Sequence, residues 1–127
     1  MTRPEAREEA LGALYAAEAT AGPPDVDGLS ARGARLAAAV WERRADLDAA
    51  IAARAHGWRV ERMPAVDRTI LRIGAYELLD TDLPVGIAVS EAVELAKRYS
   101  TARSGAFVNG VLGTMAREAA ETRPTAT

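Results

Sequence analysis

The stretch "SGAFVNGVL", residues 104–112, carries the one Phe of the chain and an Asn-Gly pair. Asn-Gly between apolar residues is a hairpin-turn signal. The spacing of the apolar residues overrules it. Phe107, Val108, Val111, Leu112 and Met115 recur at i, i+1, i+4, i+5 and i+8, the period of a helix rather than a strand. Gly110 then costs about 1 kcal/mol against Ala, so close approach of another helix is expected there. Asn109 can donate and accept toward a neighbouring backbone. Ser104 is expected to cap this last helix, with Arg103 in the short loop before it.

Outward from that stretch, nearly everything reads as helix. Residues 4–20 begin with Pro4, suited to a first turn, and put Leu11, Leu14 and Tyr15 on a face with Ala10 and Ala17. "AGPPDVDG", 21–28, is a linker. Ser30 caps a second helix with Leu36, Ala37 and Val40 inward. A third, carrying Leu47 and Ile51, starts near Asp46 and ends by Gly57, unless Arg43-Arg44 continue the second as one rod. Pro64 opens a fourth helix whose wide apolar face holds Val66, Ile70, Leu71, Ile73 and Leu78, with Arg68, Arg72 and Tyr76 in a separate stripe. After the turn "TDLP", 81–84, a helix over about 86–99 places Ala88, Val89, Ala92, Val93, Ala96 and Tyr99 inward and lets Glu94 pair with Arg98. Residues 121–127 read as a frayed tail. The expected fold is all-α, about six or seven helices in a single domain over 1–127, as two small bundles at about 1–57 and 58–120.

Composition narrows the chemistry. The chain holds no Cys and one His, so a Cys-based or His-rich metal site is excluded and no cofactor is expected. His56, beside Gly57, reads as a surface histidine at a helix end. The glycines form neither a Walker nor a dinucleotide pattern, and the acids of "DTD", 80–82, lie in a turn. No enzyme is expected. No apolar run approaches the ~20 residues of a membrane span, and the N-terminus lacks a signal-peptide stretch, so a cytoplasmic protein without a membrane partner is expected.

Net charge is −2, so RNA or DNA would have to meet a local patch. Of the basic residues, 15 are Arg and one is Lys97. A helix N-terminus favours phosphate. Arg103 and Ser104 stand at one, and Phe107, a turn further on, could stack a splayed-out base. The residues alone leave the alternative open, with Phe107 in the core and Arg103 solvated.

"AREEALGALYAAE" (6–18), "VDRTILRIGAYELL" (66–79), "LPVGIAVSEAVELAKRYS" (83–100) and "FVNGVL" (107–112), in this order, resemble the NusB family of bacterial transcription antitermination factors. The resemblance implies a two-bundle all-α fold and a non-catalytic role. It implies binding of single-stranded boxA RNA in ribosomal RNA leaders, jointly with the small-subunit ribosomal protein NusE. Other Nus factors and RNA polymerase would join in the antitermination complex. The family's RNA surface corresponds here to Arg3 and Arg7, the loop before the last helix with Arg103 and Ser104, and Phe107. Its ribosomal-protein surface corresponds to Tyr15 and Asp67. Against the family pattern, residues 1–9 hold two Arg and three Glu, Ala106 stands where Lys is frequent, and Arg103 where an acid is frequent. Weak RNA binding without the partner is therefore expected. Similar modules also occur fused to RNA cytosine methyltransferases, a variant not expected here. The alternative is a helical module acting mainly through protein contacts or self-association, and a homodimer stays open.

Overall fold

The computed structural model describes residues 2–122. Six helices follow one another: α1 (Arg3–Thr20), α2 (Ala31–Glu42), α3 (Arg44–Ala52), α4 (Ala65–Asp80), α5 (Val85–Tyr99) and α6 (Ala102–Thr122). A single 3₁₀ turn, Val60–Arg62, precedes α4. No strand is present among the described residues, and the fold is all-α. No described helix is long and apolar enough to cross a membrane.

Local chemistry sets the ends. Thr2 and Glu5 form a capping box on α1, Thr2 Oγ1 accepting from Glu5 N at 3.3 Å and Glu5 Oε2 from Thr2 N at 3.0 Å. Ser30 caps α2 through Gly33 N at 3.0 Å, and Glu9 of α1 accepts its hydroxyl at 2.6 Å. Arg43 (φ −93, ψ 6) separates α2 from α3, so the two are distinct helices and α3 starts at Arg44 rather than near Asp46. Pro64 and Pro84 sit at the N-caps of α4 and α5, where a missing N–H costs nothing.

α4 is the hub, packing on α1, α2, α3, α5 and α6. One contiguous apolar core results, with Leu47, Ile51, Ile70, Leu71, Ile73, Leu78, Leu112 and Met115 at its most buried points. The close helix approach expected at Gly110 occurs at Gly74 instead. A Cβ there would lie 2.4 Å from Leu112 Cδ1 and 3.1 Å from Ala92 Cβ, so α4 touches α5 and α6 backbone-first. Gly110 is exposed, and a Cβ on it would meet nothing within 4 Å.

Four further expectations need correction. Tyr99 points outward, 46% exposed, because the buried seam of α5 runs Ala88, Ala92, Leu95, Ala96. Arg98 pairs with Glu8 of α1 rather than with Glu94. Tyr15 lies at the edge of α1's apolar face and is 49% exposed. α6 runs on to Thr122, so Glu121 and Thr122 are helical, while 123–127 lie outside the described residues.

Candidate nucleic-acid interface

The α5–α6 corner is locked by hydroxyls. Thr101, not Ser104, caps α6: its Oγ1 accepts from Ser104 N at 3.0 Å. Arg103 accordingly sits inside the first turn of α6, exposed, rather than in a loop. Ser104 is buried. Its Oγ lies 3.0 Å from Ser100 Oγ and accepts from Thr101 Oγ1 at 3.1 Å. It donates to Asp67 Oδ2 at 2.9 Å. Asp67, in the first turn of α4, is buried as well, and its Oδ1 has no hydrogen-bond partner. Ser104 and Asp67, assigned from the resemblance to different surfaces, thus form one internal contact.

Phe107 follows one turn after Arg103 on the same face of α6. It is half-buried, with one side packed on the core. Its ring meets Trp58 edge-on, centroids 5.8 Å apart and planes at 60°. Trp58 belongs to the α3–α4 connection and is 57% exposed. Sequence reasoning did not single out this residue. The available signal was its setting, "RAHGWRVER" over 54–62, three arginines and one acid around an aromatic.

The two N-terminal arginines have opposite fates. Arg3 is exposed beside the α4–α5 turn, in a cleft with Arg32, Asp82 and Pro84. Arg7 is buried. Its Nε and Nη2 donate to Glu77 Oε1 and Oε2 at 2.6 and 2.9 Å, and Glu91 lies 3.6 Å from Nη1. It offers no guanidinium to a ligand. The cations that do flank the start of α1 are Lys97 and Arg98, which line a cleft with Pro4, Glu8 and Glu94. The stem of Lys97 reaches α6, where a Cβ on Gly105 would meet its Cγ at 3.0 Å. Among the described residues no cluster of His, Asp and Glu is arranged to hold a metal.

The pattern of residues 4–117 matches the model of the NusB family. The chain belongs to the NusB family. It is 44% identical to the transcription antitermination protein NusB of Symbiobacterium thermophilum, over 92% of this chain and 90% of that one. With the NusB of Frankia casuarinae identity is 47%, over 86% and 79% of the two chains. The solved structure of T. maritima NusB superposes with a TM-score of 0.80 at 30% identity, covering 93% of this chain and 92% of the other.

A further concavity is lined by Tyr15, Glu18, Trp41, Arg44, Arg68 and Arg72. The Arg44 guanidinium lies 3.9 Å over the Trp41 ring. Arg68 grips Glu18 with Nε and Nη2 at 2.7 and 2.6 Å, and Arg72 grips Asp48 with two donors at 2.7 Å while reaching Glu18 at 2.8 Å. The Arg68 guanidinium, bonded to both carboxylate oxygens, holds the Glu18 carboxyl below its ordinary 4.5 against the opposing push of partial burial. Of the residues that the NusB resemblance carries over, Arg3, Tyr15 and Arg103 are exposed and Phe107 is half-exposed, whereas Arg7, Asp67 and Ser104 are internal.

Proposed function

We propose that this chain is a non-catalytic transcription antitermination factor that binds single-stranded boxA RNA of ribosomal RNA leaders together with ribosomal protein NusE. The observation that carries the proposal is the half-exposed Phe107 ring, one turn from the exposed Arg103 in the first turn of α6. A flat ring beside a guanidinium at the positive end of a helix suits an unpaired base and its phosphate. The names of the relatives, transcription antitermination protein NusB, support the role. Arg3 would extend the phosphate contacts. Arg7, Ser104 and Asp67 would act from inside, by holding α1, α4 and α6 in register. Tyr15 would face NusE, and the complex would work in the cytoplasm with the other Nus factors and RNA polymerase.

Fluorescence anisotropy of a boxA-like RNA oligonucleotide, with and without NusE, tests the assignment. Phe107→Ala should weaken RNA binding roughly tenfold, as expected for loss of one stacked base, and Arg103→Glu should weaken it further. Both variants should keep their affinity for NusE. Unchanged RNA affinity in both variants would overturn the assignment. A second role, as a module acting mainly through protein contacts or self-association, draws support from the concavity beside Tyr15 and the Trp41–Arg44 stack. In that case Tyr15→Ala alone should abolish complex formation.

A further inference from the structure

Resting on the RNA role proposed above, we infer that Trp58 is a second stacking surface for an unpaired base, so that the nucleotide path continues from Phe107 onto the α3–α4 connection. Trp58 has more than half its surface in water and adjoins a second, half-exposed ring, Phe107, so the two form a contiguous aromatic patch rather than a lone exposed residue. Here the backbone that carries the ring is held in place. Gly57 takes φ 80, the left-handed turn that glycine allows, and Trp58 N donates to Ala55 O at 2.9 Å. Downstream, Val60 and Met63 are buried, and Arg68 Nη1 donates to both of their carbonyls at 3.2 and 2.9 Å. The connection is anchored on both sides of the indole. An anchored backbone and the contact with Phe107 reduce the freedom that is lost when a base settles on the ring.

The neighbours favour a polyanion. Residues 54–62 bring Arg54, Arg59 and Arg62 against one acid, Glu61. Arg54 is engaged by Glu118 and Arg59 by Glu61, while Arg62 is exposed. The edge-on contact with Phe107 makes the two rings one aromatic surface at two inclinations. Successive bases of a single strand can turn at such a step, since each base needs a ring face and no fixed hydrogen-bond partner.

The test uses the full chain and the same RNA oligonucleotide. Trp58→Ala should lower RNA affinity about fivefold or more, and Trp58→Phe should restore most of it. In a Trp41→Phe background, where Trp58 is the one remaining tryptophan, RNA should quench the indole emission in a saturable way. That readout does not depend on the stability of an alanine variant. If Phe107→Ala loses RNA while Trp58→Ala keeps it and the emission is unmoved, the assignment of Trp58 falls and the RNA role stands. If the unaltered chain binds no RNA with or without NusE, the RNA role falls first. A Trp58→Ala variant that loses NusE affinity and keeps RNA affinity would overturn the inference and give the ring to the protein partner.

Discussion

Ser104 donates its hydroxyl to Asp67 across 2.9 Å, tying the first turn of α6 to the first turn of α4. The contact joins the helix that carries Arg103 and Phe107 to the hub of the fold. It also leaves a buried carboxylate with one hydrogen bond and a bare Oδ1. Ser104→Ala would strip that bond and leave Asp67 with no partner in the interior. The expected cost is about 1–3 kcal/mol, the desolvation penalty of a buried polar group left without a hydrogen bond. Adding Asp67→Ala should return part of it. Urea unfolding of the two single variants and the double variant measures the coupling.

Arg7 is a structural residue. Removing it leaves Glu77 and Glu91 facing each other across the α1–α4–α5 seam without their shared cation. Arg7→Ala should cost about 3–5 kcal/mol, the range for breaking a buried pair. Arg7→Met with Glu77→Leu should be close to neutral. A stable Arg7→Ala protein that had lost RNA binding alone would contradict this.

Two helical glycines, Gly74 in the core and Gly110 on the surface, should respond in opposite directions. Gly74→Ala drives a methyl into Leu112 and Ala92 and should destabilise by about 1–3 kcal/mol. Gly110→Ala meets nothing and should stabilise by about 0.5–1 kcal/mol through helix propensity. Thermal unfolding of both variants reads the signs directly.

Glu18 makes stability pH-dependent. Its carboxyl titrates below 4.5 in the folded chain because Arg68 and Arg72 favour the ionised form. Its contribution is therefore fully present above the unfolded value of about 4.5 and is lost as pH falls through the lower folded value. Glu18→Gln should be less stable than the unaltered chain near neutrality, and the gap should close on acidification below pH ~4.5. A gap that stays constant down to acid unfolding would remove Glu18 from that role.

RNA affinity should be weak and only mildly salt-dependent without NusE. With Arg7 internal, Arg3 is the one cation that residues 2–9 can offer, beside three glutamates. Each phosphate contact adds about 0.7 to the salt slope of a single strand. Arg103→Ala should lower the slope by that amount, measured as affinity against salt concentration. Tight binding by the chain alone would refute the expectation.

The helices were legible because their signals are local. The apolar period through Phe107–Met115, the prolines at 64 and 84 and the cap at Ser30 act within one or two turns, and the structure has helices at each. The errors occurred where a residue's fate depends on another helix. Tyr99 fits an inward position by spacing alone, yet Leu95 takes the seam. Arg98 has an acid four residues before it, yet Glu8 of α1 lies closer.

The site divides along the same line. Ring, guanidinium and spacing on α6 are properties of the chain and could be named from it. Whether Arg7 faces water or Glu77, whether Ser104 caps a helix or bonds Asp67, and whether a tryptophan 49 residues away meets Phe107 are decided by packing. Periodicity tells which face of a helix is apolar, but a charge or hydroxyl at the rim of that face is placed by the neighbour that docks there. The amino-acid order determined an all-α NusB-family scaffold; the docking of α1, α5 and α6 around α4 selected which of its polar residues stay at the surface.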